Sequence, residues 1–226
     1  MTLFRLDASI RREGSVSREV ADTVQRSWIE RHPHDTVIHR DLTASPLAAD
    51  AWLLAASTRG VPEDEQTPEQ RAAVTLTALL ANEVLNADAL LIATPLYNFG
   101  ISQHLKTWID LLAIDPRFVP GPDPLAGRPV TLVIARGGGY GEGTPRAGWD
   151  HATPYLEQTF GAQFGGDVTV VAAELTLADV TPQMAELRGL AAELRTKAHE
   201  LAAETGRVHA ELVASRRADA GLTGAA

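Results

Sequence analysis

Short runs of apolar residues alternate along most of the chain with longer segments whose apolar positions recur every three or four residues. This alternation is the signature of a parallel sheet whose strands are joined by covering helices. Residues 2–7, TLFRLD, predict a first strand. After the loop ASIRREGSVS, Ser17 is placed to cap a helix with Val20, Val24 and Trp28 on one face, closed by Pro33. Residues 36–42 predict the second strand, and 43–66 a surface excursion with one helical turn around Trp52. Thr67-Pro68-Glu69-Gln70 supplies a cap, a first-turn proline and a glutamine that reaches back, and Leu76, Leu80 and Val84 then mark an inner face.

Residues 89–93 predict the third strand, 102–112 a helix, 130–135 the fourth strand and 168–173 the fifth. Thr181-Pro182 opens a last helix with Met184, Leu187, Leu194 and Leu201 on one side. Beyond about Gly206 the pattern decays, so the expectation is one α/β domain over 1–205 and a loosely ordered tail over 206–226. Five such units predict a doubly wound, five-stranded parallel sheet of order 2-1-3-4-5 with helices on both faces. In that order a ligand sits beyond the carboxyl ends of the strands, where the first and third diverge.

Composition narrows the chemistry. The chain has 226 residues, enough to bury roughly 70% of its unfolded surface around one core. Lys and Arg number 20 against 29 Asp and Glu, a formal charge of −9 with pI near 5.2, which opposes binding to nucleic acid and to anionic membranes. Cysteine is absent, which excludes disulfides, thiolate metal sites and a cysteine nucleophile. No secretory signal and no apolar run long enough to span a bilayer is visible, so a cytoplasmic location is expected. The histidines are scattered, with no H-E-x-x-H and no G-x-S-x-G, so no metal site is expected and a hydrolase has no support.

The three loops at the expected crevice have unusual composition. In ASIRREGSVS, Ser9, Ser15 and Ser17 precede or open a helix, a setting that suits one phosphate; the same serines also serve as turn and cap residues. In TPLYNFG, Tyr97 and Phe99 offer flat apolar area and Asn98 a polar edge, a mixture matched to a planar heteroaromatic ring; inward-turned aromatics and an Asx turn are the alternative. In ARGGGYGEG, bare backbone N–H groups lie beside the cation of Arg136 and are suited to charge that develops on a ligand. Tyr140, Glu142 and His151 are the nearby groups able to exchange a proton.

The segments S-x5-S-x-S (9–17), PLYNFGIS…LKTWID (95–110), RGG (136–138) and TPYL (153–156) resemble the FMN-dependent NADH-azoreductases, flavodoxin-like quinone and azo reductases, over the chain to about residue 203. The resemblance implies a homodimer with one FMN per subunit and an active site lined from both chains. Ser9, Ser15, Val16 and Ser17 would hold the phosphate, Leu96, Tyr97, Asn98 and Phe99 would contact the isoalloxazine, and Ala135, Arg136, Gly137 and Gly138 would approach its pyrimidine side. It implies a ping-pong reaction in which NADH or NADPH delivers hydride to flavin N5 and a quinone or azo compound then takes the electrons. Ala135 stands where the family often has serine, the loop 113–127 is short and proline-rich, and Ala162 replaces an aromatic wall. Phe118 and Ala162 are therefore expected at the acceptor pocket. A flavodoxin-like electron carrier without enzymatic activity, and a flavin-free binding module, are the competing readings.

Overall fold

The computed structural model describes residues 1–119, 121 and 123–223. Five strands, β1 (Thr2–Asp7), β2 (Thr36–Asp41), β3 (Ala89–Pro95), β4 (Pro129–Ala135) and β5 (Asp167–Ala173), form one sheet in the order β2-β1-β3-β4-β5. Every neighbouring pair is parallel. The helices are α1 (Val16–Arg31), α2 (Ala51–Ala56), α3 (Pro68–Leu85), α4 (Gln103–Leu112), α5 (Ala152–Glu157) and α6 (Arg188–Thr223).

Side-chain alternation along the strands divides the core into two layers. Phe4, Leu6, Leu90, Ile92, Leu132 and Ile134 point to one face and pack with Leu80, Trp108, Leu112 and Phe160 from α3, α4 and the segment after α5. Leu3, Leu91, Ala93, Val133 and Val171 point to the other and pack with Val20, Val24 and Trp28 of α1 and Ala198, Ala202, Ala210 and Val213 of α6. A parallel sheet covered on both sides needs strands apolar at successive positions, and β4 is buried along its whole length.

The start of α3 matches its sequence signature. Thr67 accepts the Gln70 N–H at 3.2 Å while Gln70 returns its Oε1 to the Thr67 N–H at 2.8 Å. Three expectations change. α1 begins two residues earlier than a Ser17 cap requires, with Ser15 at the N-cap. The stretch after Thr181 is first a 3₁₀ turn (Pro182–Leu187), and the helix proper starts at Arg188.

Most consequentially, α6 does not decay at Gly206 into a loose tail but continues to Thr223. Its inner stripe is made of small and polar residues, Ala198, Ala202, Thr205, His209, Ala210 and Val213, while Leu190 and Leu201 face outward. Gly206 is required there: a Cβ would lie 2.3 Å from the carbonyl oxygen of Val24, so the glycine lets α6 cross α1 at close range. A further helix, α5, continues into a π-helical turn (Gln158–Gln163), an element the strand-and-helix pattern did not disclose.

Candidate functional site

Because all five strands run parallel, all βα loops emerge at the carboxyl edge and all αβ loops at the amino edge. The loops after β1, β3, β4 and β5 meet around a cleft of about 250 Å³. Ser9, Arg11, Gly14, Ser15, Val16 and Ser17 form one wall, Pro95, Leu96 and Tyr97 another, and Ala135, Gly137, Thr176 and Leu177 the third. None of these lining residues is acidic, and Arg11 carries their one charge.

The first wall is a helix entrance with an idle cap. Ser15 has the extended backbone of an N-cap, yet its side chain accepts nothing from the first turn. Its Oγ instead lies 3.2 Å from that of Ser17, which is buried inside the helix's first turn. The N–H groups and positive dipole end of α1 are therefore left to whatever enters the cleft. Gly14, with φ of 63°, makes the turn that brings Ser15 into place.

The second wall answers why a loop would expose aromatics. Tyr97 and Gly100 exchange two N–H···O bonds of 2.9 Å, and Asn98 and Phe99 between them both take left-handed φ values, 48° and 68°. That is the geometry of a primed two-residue turn, unusual with phenylalanine in it and costing on the order of 1–3 kcal/mol. The Tyr97 hydroxyl reaches the first loop, 3.5 Å from Ser9 Oγ and accepting the Ile10 N–H at 3.2 Å. Phe99 turns the other way and is 37% exposed. Its ring meets Trp149 edge-on at 5.3 Å and Tyr140 at 6.5 Å, and its carbonyl accepts the His151 N–H at 2.9 Å. Neither aromatic plugs the core.

In the third wall Ala135 ends β4 and Gly137 lies under Leu177, whose Cδ1 would be 2.7 Å from a Cβ at that position. A larger residue there would push the exposed Leu177 side chain aside. Arg136 does not face the cleft as a free cation. It is bound to Asp150 at 2.7 Å, Glu174 at 2.8 Å and the Thr153 hydroxyl at 2.8 Å, so two carboxylates more than offset its charge and it fastens α5 to the β5 loop. Gly138 is buried, with its carbonyl taken by the Leu175 N–H at 3.2 Å. Tyr140 is half-buried beside Phe99, Glu142 is exposed, and His151 is exposed at the start of α5.

Beneath the first loop lies a charge network that sequence reasoning missed. Asp7, at the end of β1 and almost wholly buried, is met by Arg5 at 3.1 Å, Arg18 at 3.3 Å and His39 at 2.7 Å. Arg18 also forks onto Asp41 at 2.7 and 3.0 Å. Burial pushes the Asp41 carboxyl up, but hydrogen bonds from Arg18, from the Thr43 hydroxyl and from the Thr43 and Ala44 N–H groups outweigh it and hold it far below the usual carboxylate range. Asp41 raises Arg18 in turn, against the opposing pull of burial. The readable signal was an arginine in the first turn of a helix that otherwise favours acids.

Phe118 and Ala162 are not part of this cleft. Both follow helices rather than strands, which puts them at the amino edge. Phe118 is fully buried against Phe164, with ring centroids 5.1 Å apart, and Ala162 is an exposed residue of the π-helical turn. Of the loop 113–127, Pro120 and Pro122 lie outside the described residues. The cleft residues from a loop not anticipated there are Thr176 and Leu177 of the β5 loop, and Arg11, Gly14 and Pro95 add to those expected from the other loops. Among the described residues, no cluster of three or more His, Asp or Glu is placed to hold a metal ion, and no helix is long and apolar enough to cross a membrane.

Residues 1–198 match the profile of a family described as having a flavodoxin-like fold. The chain is 37% identical over 203 residues to an FMN-dependent NADH:quinone oxidoreductase of Parafrankia sp. (strain EAN1pec), covering 88% of this chain and 96% of that one. It is 42% identical over 193 residues to a protein of the same description from Kineococcus radiotolerans, covering 82% and 89%. Among solved structures, the azoreductase from Bacillus anthracis str. Sterne superposes with a TM-score of 0.73 at 27% identity, covering 92% of this chain and 99% of that one.

Proposed function

The chain belongs to the flavodoxin-like family of FMN-dependent NADH:quinone oxidoreductases and azoreductases, and on that premise we propose that it binds FMN in the carboxyl-edge cleft and carries electrons from NADH to a quinone or azo acceptor. The observation that supports this most is the combination of three serines, an uncapped helix entrance and no acidic lining residue in one cleft. Such a donor set fits a phosphate monoester and repels no part of it. A pyrophosphate cradle is a poorer match, because the glycine fingerprint and the lysine of nucleotide-binding loops are both missing from 8–17.

When bound, FMN supplies the redox chemistry, accepting two electrons from a reduced nicotinamide and passing them on. The chain's own residues supply place and surroundings. Ser9, Ser15 and Ser17, with the Val16 N–H, grip the phosphate end. Leu96, Tyr97, Asn98 and Phe99 flank the ring, and Ala135, Gly137 and Gly138 let backbone come close to its polar edge. Asn98 offers both donors and an acceptor there. Phe99, Tyr140 and Trp149 exclude water from the mouth. Trp149 is 52% exposed, and Leu177 and Val180 leave further apolar surface nearby, which a second copy of the chain covers in a homodimer. NADPH serves in place of NADH only if the mouth accepts its extra phosphate, for which Arg11 is the cation that lines the cleft. Tyr140 and His151 remain the candidates for proton exchange with an acceptor.

Purified protein saturated with FMN is mixed anaerobically with NADH and then with a benzoquinone. The proposal expects loss of the oxidised flavin's visible absorbance and its return on adding the quinone. Absorbance that NADH leaves unchanged is the result that removes it, and sedimentation of the FMN-loaded protein as a monomer removes the homodimer.

A further inference from the structure

Arg18 belongs to α1, but its guanidinium acts on the loop that precedes the helix. Nε donates to the carbonyl of Arg11 and Nη2 to the carbonyl of Ser9, each at 3.0 Å. From the other side the group is held by Asp41, by the Thr43 hydroxyl at 3.1 Å and by Asp7. Its side chain is only 12% exposed and does not line the cleft.

Its influence passes through peptide planes. In a trans peptide the carbonyl and the following N–H point in opposite directions. Drawing the Ser9 carbonyl toward Arg18 turns the Ile10 N–H away from it and onto the Tyr97 hydroxyl, which in turn lies beside Ser9 Oγ. The carbonyls of Ser9 and Arg11, which would repel an anion, are thereby engaged by the guanidinium. A lysine has one compact charge and cannot span two carbonyls, a forked carboxylate and a hydroxyl at fixed angles.

We infer that Arg18 is a positioning residue that shapes the 9–15 loop for a phosphate monoester without touching it, an inference that rests on the FMN reading above. The test titrates flavin-free wild type and Arg18→Lys with FMN and, separately, with riboflavin, which lacks the phosphate, following flavin fluorescence. The Kd for FMN is expected to rise about tenfold or more in Arg18→Lys while that for riboflavin stays within about twofold. Thr43→Val, which loosens the guanidinium from the β2 side, is expected to weaken FMN alone by about threefold. Equal weakening of both flavins, or an Arg18→Lys protein that separates FMN from riboflavin as well as wild type does, overturns the inference and leaves the FMN reading standing. A wild type that binds FMN no more tightly than riboflavin overturns the phosphate reading and the inference with it.

Discussion

At the amino edge of the sheet Phe118, Phe160 and Phe164 meet edge to face with centroids 5.1 and 5.9 Å apart, all fully buried. At the carboxyl edge Phe99 and Trp149 meet in the same orientation at 5.3 Å, yet both stay exposed. One contact type closes one end of the molecule and frames an opening at the other. The backbone marks the same division: among the described residues, the non-glycine positions with positive φ are Asn98, Phe99 and Leu175, each in a loop at the carboxyl edge. Strain is concentrated where the sheet stays open and is absent where rings seal it, which is the distribution expected when one end is reserved for a ligand.

Substitutions separate the two ends by readout. Phe118→Ala at the amino edge is expected to cost about 3–5 kcal/mol in urea unfolding while leaving the FMN Kd of the folded fraction within about twofold. Coupling of that core change to flavin affinity would join the two ends again.

The scaffold face under α6 offers a pH test. His209 is buried between α6 and the sheet, with Nδ1 3.1 Å from the Thr131 hydroxyl, and burial pushes its pKa down to about 4 despite the pull of Asp167. The unfolded chain takes up that proton near 6.5, the folded one only near 4. The stability His209 leaves intact above pH 6.5 is therefore lost as pH falls toward 4, on the order of 3 kcal/mol in all. Urea unfolding across that range checks it, and His209→Asn is expected to flatten the profile.

At the carboxyl edge the effects are smaller and fall on binding. Ser15→Ala removes a hydroxyl that caps nothing, so stability should hold within about 0.5 kcal/mol while FMN binds roughly five- to tenfold more weakly. Thr67→Ala, remote from the cleft, should do the reverse, costing about 1 kcal/mol with flavin affinity unchanged.

The sheet order was legible because β3, β4 and β5 carry apolar runs and patterned helices follow β1, β2 and β3, and the α3 start because a capping box needs only local residues. α5 was less so: Leu156, Phe160 and Phe164 do recur at four-residue spacing, but Pro154 and Gly161 interrupt the expected helical composition. The outer half of α6 misled for a different reason. Its packing face is built from alanine, threonine and glycine because it crosses α1 closely, and Leu201, on the apolar side that the sequence shows, faces solvent. The serines and Tyr97 could be placed at the cleft from sequence, since a strand's end fixes where its loop emerges. Arg136 and Phe118 could not, because their partners Asp150, Glu174 and Phe164 lie in later segments and only the folded chain brings them together.

The most direct measurement of the whole account is diffraction from crystals of the protein grown with FMN. Phosphate density is expected within hydrogen-bond reach of Ser9, Ser15 and Ser17, and ring density against Tyr97 and Phe99. Density for the ligand anywhere else, or a cleft filled by the chain's own side chains under saturating FMN, would contradict it.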